Sequence, residues 1–339
     1  MISEGSLSDS DAKLLERAAA LIGPEIKGAA LTSQQLKEVV RAEGQDLATA
    51  LLYEKILRAP ANAAFSHQVA QQKTKIEMRP DLVGVVPGAF YREHRNTGAD
   101  GTRALAIARD LGCQAELIPV ESFGGLEENA KVILDWLESH PGRRITLISL
   151  SKGGSDIKYA LKSSRAAASF VNVNQWVSFS GLVQGTPLVE WLRRRPLRWW
   201  GFRLILWWQG HGRRAVEQLR HGPGTLLADW PVLPAHLRVV HVYGIPLSRH
   251  LAHPWAPRTY QRLAALGPND GGGILIEDLM GLPGVVCPIW GADHYLDPSW
   301  DVMPLLRGIV AAAMSSEDPL QASQSENHPT NPPAKRSTT

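Results

Sequence analysis

The sequence predicts an α/β fold: a mostly parallel sheet with helices on both faces. Three observations predict it. Short apolar runs alternate with stretches of helical periodicity from about residue 80 to residue 314. The runs are unbroken, as in Leu82-Val83-Gly84-Val85-Val86 and Ile145-Thr146-Leu147-Ile148, which suits strands buried on both faces. With 339 residues, 44% of them hydrophobic and 20% charged, the chain can fill one large core and still carry appendages.

The elements follow in order. Ser10 or Asp11 is placed to cap a helix through about Ile22, with Leu14, Leu15, Ala18, Leu21 and Ile22 on one side and Gly23-Pro24 as its stop. Thr32 or Ser33 starts a second helix, whose Leu36, Val39 and Val40 face inward and which Gly44 ends. Asp46 opens a third, reaching about Leu57. Residues 1–72 therefore form a helical N-terminal extension, disordered over 1–9, in which no chemistry is visible. Residues 73–314 form the main domain. After weak alternation at 73–80, the strand 82–86 runs into Pro87-Gly88-Ala89-Phe90 and a polar loop over 91–101. A helix over 102–111 is closed by Gly112, then come a strand at 113–120 and a helix at 126–139. The strand at 145–148 is followed by a helix to about Ala166. Further strands fall at 174–180, 237–244 and 285–289, and a last helix at 299–314. The interval from Gly181 to Leu237 is far longer than an ordinary loop. It is expected to be a folded cap, about 182–236, over the carboxyl edge of the sheet. Residues 315–339, polar and rich in Ser, Asn and Pro, are expected to be a disordered tail.

Composition excludes some functions. A net charge of +3 gives no broad field for polyanions, so nucleic acid is not an expected partner. Cys113 and Cys287 make neither a disulfide scaffold nor a CxxC pair. They are expected to be buried thiols in a reducing compartment, and no metal site is expected. The start MISEGSLSDSDAKLLE lacks the basic head and apolar core of a signal peptide. No stretch reaches the roughly 20 uncharged apolar residues that span a bilayer. A cytoplasmic protein is expected, with any membrane contact peripheral.

Chemistry gathers around Arg144-Ile145-Thr146-Leu147-Ile148-Ser149-Leu150-Ser151-Lys152-Gly153-Gly154. An apolar run stops at small residues and then turns helical, with Ile157, Tyr159, Ala160 and Leu161 at helical spacing. Strand, tight turn and helix are the context of a nucleophile elbow, with Ser151 at the apex and the small residues Ser149 and Gly153 beside it. The plainer alternative is that Ser151 only caps the helix. A serine nucleophile needs a base, and the base needs a carboxylate. His294 lies just past the last strand, in Trp290-Gly291-Ala292-Asp293-His294. Asp270, in Gly267-Pro268-Asn269-Asp270-Gly271, precedes it by 24 residues. Glu277 and Asp278 are nearby alternatives, and Asp293 ranks last because its side chain should diverge from its neighbour's.

Together these residues resemble the α/β-hydrolase family over roughly 75–314. The elbow resembles the family's G-x-S-x-G, with Ser149 in place of the first glycine. Asn269-Asp270-Gly271 followed by His294 is similar to the NDG…H arrangement of its lipases. The resemblance implies a serine hydrolase acting on a carboxylic ester, with Ser151 as nucleophile, His294 as base and Asp270 as its support. It also implies an oxyanion hole from the N–H of Lys152 and the N–H of Ala89, with Phe90 as a weaker candidate. Pro87-Gly88-Ala89 stands where relatives carry His-Gly-x. No metal or organic cofactor is needed. A thioesterase or acyltransferase would use the same residues, and a membrane-docked binding protein without catalysis is the rival of another class. The Lys152 side chain is expected to be solvated.

One further stretch stands out. From Trp191 to Arg214 the chain holds five of its 11 tryptophans, seven arginines and no acid. Such a segment suits a self-packing lid, contact with an anionic membrane surface, or stacking on nucleic acid. The low total charge disfavours the last. Tryptophans over the site would suit a small-molecule or lipid ester with a long apolar chain.

Overall fold

The computed structural model describes residues 7–22, 33–71, 81–94, 97–208, 210, 212 and 214–315. Of the disorder expected at 1–9 and 315–339, the stretches 1–6 and 316–339 fall outside these residues, as does the weak alternation at 73–80, whereas Ser8 and Asp9 are ordered as the start of a helix. Four helices lead: α1 (Asp9–Leu21), α2 (Ser33–Glu43), α3 (Gln45–Arg58) and α4 (Pro60–Gln71). α1 starts before either predicted cap, because the Ser8 hydroxyl accepts the Asp11 N–H at 3.2 Å. Asp11 is not a cap at all. Its carboxylate is buried and held by Arg249 and His250 from far along the chain. α4 lay beyond the predicted third helix. It begins on Pro60, a residue well suited to the first helical position because its missing N–H is not needed there.

The main domain then alternates: β1 (Leu82–Val86), α5 (Thr102–Asp110), β2 (Gln114–Leu117), α6 (Leu126–Glu138), β3 (Ile145–Leu150) and α7 (Lys152–Ala160). α7 stops at Ala160, short of the predicted Ala166, where a separate turn, α8 (Ala166–Ser169), begins. β4 (Val173–Phe179) leads into three cap helices, α9 (Pro187–Arg193), α10 (Pro196–Trp208) and α11 (Arg214–Gln218). β5 (Arg238–Ile245), α12 (Ala256–Leu263), β6 (Val285–Trp290) and α13 (Met303–Met314) complete the chain. Ser315, placed by the sequence in the tail, is buried and its hydroxyl donates to the Ala312 carbonyl at 2.7 Å.

The six strands form one parallel sheet in the order β2-β1-β3-β4-β5-β6. The winding runs outward from β1 to β2, then reverses and proceeds from β3 to β6. The reversal opens a crevice at the carboxyl ends of β1 and β3, where ligands bind in sheets of this kind. Both faces are covered. Val83, Val85, Ile148, Val177 and Ile289 pack against α5 and α13 on one side. Leu82, Val86, Leu147 and Trp176 pack against α6 and α7 on the other. Burial on both sides is why these strands are mostly apolar, with only a few buried polar residues such as Thr146, Ser149 and Gln175. Gly84 is required by one such contact, since a Cβ there would meet the Trp136 ring at 2.7 Å.

The N-terminal helices share a core with the far edge of the sheet. Leu47, Leu51, Tyr53 and Ile56 cluster with Tyr243, Ile245, Val286 and Trp290. Tyr53 meets Trp290 edge-on at 5.1 Å, and the Asn62 side chain accepts the Val286 N–H at 2.8 Å. The extension thus braces β6, the strand whose carboxyl end leads to His294.

Candidate active site

Ser151 sits between β3 and α7 with φ 47° and ψ −114°, a strained conformation for a residue bearing a Cβ. Its N–H donates to the Phe179 carbonyl at 2.9 Å, and its own carbonyl accepts the N–H of Leu182 at 2.9 Å. The turn is thereby pinned to the end of β4. It also demands small neighbours. A Cβ at Gly153 would lie 2.5 Å from the Val86 carbonyl oxygen and 2.7 Å from that of Pro87. Ser151 occupies the cap position of α7, yet its hydroxyl makes no capping bond. It faces the His294 Nε2 at 3.0 Å instead.

The unusual Ser149 has a local explanation. It is fully buried, and its hydroxyl accepts the indole N–H of Trp176 from the adjacent strand at 2.8 Å. Ser149→Gly would restore the familiar spacing of glycines but orphan that N–H. Stability should fall by about 1–3 kcal/mol, read from urea denaturation, while the geometry around Ser151 is retained.

His294 follows β6 and is held from three directions. Its Nδ1 lies 2.5 Å from the Asp270 Oδ2, and its N–H donates to the Asp270 carbonyl at 2.8 Å. The ring lies against Gly272, where a Cβ would come within 1.9 Å of the His294 Cγ. Arg103 clamps the following residues by donating to the carbonyls of Tyr295 at 2.6 Å and Leu296 at 2.9 Å. Burial draws the imidazole toward its neutral form. The charge and hydrogen bond of Asp270, with the nearby Asp293 charge, outweigh burial and hold His294 above its ordinary value.

Asp270 is almost wholly buried but fully satisfied. Its Oδ1 accepts the N–H groups of Gly272, Gly273 and Ile274, each at 2.9 Å, leaving Oδ2 for the histidine. The other acids are engaged elsewhere. Asp278 pairs with His221 at 2.9 Å, and Asp293 accepts the N–H groups of His253 and Tyr295. A hydroxyl, an imidazole and a carboxylate so linked can activate the hydroxyl as a nucleophile and store its proton on the ring.

Of the donors expected near Ser151, the Phe90 N–H is occupied by the Ser122 carbonyl at 2.9 Å, and Ala89 lines the same cavity as Ser151. Lys152 is the first residue of α7, where a helix leaves its N–H groups without internal partners. The Lys152 side chain corrects an expectation. It is not solvated but buried, with its Nζ 2.7 Å from the Asp156 Oδ1. Residue 152 is followed at helical spacing by an acid at 156, and that pair lies on the face of α7 turned toward α6.

Ser151 and His294 line a cavity of about 300 Å³. Phe90, Phe123, Val189 and Phe202 wall it beneath the cap, and Ala104, Ile107 and Leu306 extend it between α5 and α13. Phe90 and Phe123 stack at 4.2 Å. Few of these residues are signalled by the sequence. Gly272 was visible only as one member of a glycine run, and Arg103 as an unremarkable helix charge.

No family model and no curated protein matches the chain. Several solved structures resemble it. The metagenomic carboxyl esterase MGS0156 is 18% identical, with a TM-score of 0.49 over 70% of this chain and 76% of its own. The mature lipase BlEst2 of Bacillus licheniformis is 18% identical, with a TM-score of 0.47 over 66% of this chain and 90% of its own. The NocB thioesterase domain, solved as a covalent complex with a fluorophosphonate nocardicin G analog, is 18% identical, with a TM-score of 0.34 over 70% of this chain and 96% of its own.

Proposed function

We propose that the protein is a serine hydrolase that cleaves a carboxylic ester with an apolar, lipid-like acyl or alcohol part. One observation carries the reading: Ser151 Oγ lies 3.0 Å from His294 Nε2, and His294 Nδ1 lies 2.5 Å from Asp270, beside an apolar cavity. Ser151 attacks the ester carbonyl carbon and passes its proton to His294. Asp270 stabilises the imidazolium. The carbonyl oxygen, now negative, is held by the N–H groups of Ala89 and Lys152. The intermediate collapses, the C–O bond to the alcohol breaks, and His294 returns the proton to the leaving oxygen. A water then gives its proton to His294 and attacks the acyl-enzyme, releasing the acid and restoring Ser151. The geometry of a thioester or of another acyl acceptor would fit the same steps, so the acyl group and nucleophile are identified by assay.

The test joins covalent labelling to turnover. A fluorophosphonate probe should label the wild type and spare Ser151→Ala. Among p-nitrophenyl esters of graded length, medium or long chains should be cleaved faster than acetate, and faster than acyl-CoA of equal length. Folded wild-type protein that takes no label would end the hydrolase reading in favour of a binding protein.

A further inference from the structure

The outer side of the cap is built unlike the rest of the surface. Along α10, Leu197, Trp200, Leu204, Trp207 and Trp208 recur at three- and four-residue spacing, so they share one face of the helix. Their exposures are 90%, 68%, 52%, 74% and 81%. The opposite face is the one that packs. Leu206 is buried there, and Trp199 and Phe202 are half-buried over the site. α10 therefore has an inner apolar face that the fold uses and an outer one that it does not. Contiguous exposed apolar surface of this kind marks an interaction site.

Beside that face lies a groove of about 1020 Å³ between α9, the start of α10 and α12. Arg194, Arg195, Arg198, Arg258 and Arg262 line it around Trp191. The guanidinium carbons of Arg195, Arg262 and Arg198 stand 4.0, 4.8 and 5.2 Å from the Trp191 ring centre. Among the described residues, none of these five arginines has an acidic partner. The one carboxylate in the groove, Glu190, is already held by Arg220 at 2.5 Å and Arg193 at 3.5 Å. Partial burial, and then the charges of Arg198, Arg258 and Arg195, depress Arg262 below the ordinary arginine value. Five guanidinium groups gathered around a single carboxylate that is already paired suit an anionic ligand.

We propose that this face of the cap docks on an anionic phospholipid bilayer, α10 lying along the boundary of headgroups and acyl chains while the arginine groove takes lipid phosphate. The choice among occupants rests on what is combined. Nucleic acid would use the arginines and could stack on the tryptophans, but it has no use for Leu197, Leu204 and Ile205. A second copy would bring a second set of uncompensated arginines against the first. A bilayer uses both features at once, apolar depth and anionic surface. Among the described residues no helix is long and apolar enough to cross a membrane, so the contact is a peripheral one.

The position of α9 gives the docking a consequence. Leu188, Val189 and Leu192 line the cavity beside Ser151, whereas Glu190, Trp191 and Arg194 line the groove. One helix separates the membrane face from the site. Docking itself does not depend on the hydrolase reading; that the substrate is an ester drawn from the bilayer does.

The two ideas are separated by working with full-length Ser151→Ala, which cannot turn over any lipid. Flotation should show binding to vesicles of phosphatidylcholine mixed with phosphatidylglycerol, and little to phosphatidylcholine alone, with affinity falling as salt rises. Replacing Arg195, Arg198 and Arg262 with glutamine should weaken that binding about 100-fold, at roughly fivefold per arginine. Trp200, Trp207 and Trp208 changed to serine should weaken it at least about tenfold. All six sites are on the surface, and unchanged circular dichroism verifies the fold. Equal binding to both vesicle types, or variants that bind like the parent, would overturn the proposal. So would arginine-dependent capture of a single-stranded oligonucleotide without vesicle binding, or a dimer that the tryptophan changes dissolve.

Discussion

Asp270→Asn should lower kcat about 10⁴-fold and leave the protein folded. The reason is the way the two carboxylate oxygens are used. Oδ1 is saturated by three backbone N–H groups, so the asparagine oxygen must take its place and the amide NH₂ must turn toward His294. A donor then faces Nδ1, which can no longer carry a proton. The imidazole is forced into the tautomer with its hydrogen on Nε2, pointing at Ser151 Oγ, and a ring in that state cannot accept the hydroxyl proton. The measurement is turnover of the best p-nitrophenyl ester beside the rate of fluorophosphonate labelling, which should fall in parallel. Asp278→Asn serves as the contrast, since its carboxylate serves His221, and turnover should stay close to wild type. A loss below tenfold in Asp270→Asn would remove Asp270 from the role given to it here.

Much of this site was legible because its chemistry depends on residue type and chain order. Ser151, Asp270 and His294 each stand at a turn that follows an apolar run, and a serine at an elbow must have small flanks. The sheet was legible for a related reason: strands covered on both faces are mostly apolar on both. What escaped depends on distances that only folding sets. Nothing in the sequence says that Gly272 must lack a Cβ, because the atom it would strike belongs to a histidine 22 positions later. Nor does it show that Ser149 serves Trp176, since the partner is on another strand. The cap of α1 was misplaced because Asp11 has the right chemistry for capping but is drawn away by Arg249 and His250. α4 was passed over because its apolar residues meet α13 and β6, which a local periodicity cannot reveal.

Lys152 shows the same limit most sharply, and it carries the second large effect. Lys152→Met should destabilise the protein by about 3–5 kcal/mol at neutral pH. The lysine and Asp156 are each 1% exposed, joined at 2.7 and 3.0 Å, with Asn129 donating to the same carboxylate at 2.9 Å. Burial pushes the Asp156 carboxyl up, and the Lys152 charge with the hydrogen bonds of Lys152 and Asn129 restrains the rise. Methionine fills the space but removes the charge, so the carboxyl must take up a proton or stay charged in an apolar interior. Its folded pKa then rises further above its unfolded value, and the native state binds the extra proton. The variant's deficit should therefore be smallest in acid and grow as pH rises through the range between the parent's folded value and the variant's higher one. Urea midpoints taken across pH would trace this slope. Adding Asp156→Leu should recover most of the loss and flatten the pH dependence, since a buried pair replaced on both sides often costs little. The Lys152 backbone N–H survives every one of these changes. Esterase turnover per folded molecule should accordingly stay near wild type, which separates the structural work of this side chain from the oxyanion role proposed for its main chain. A Lys152→Met protein as stable as its parent would mean that the pair contributes nothing to holding α7 against α6.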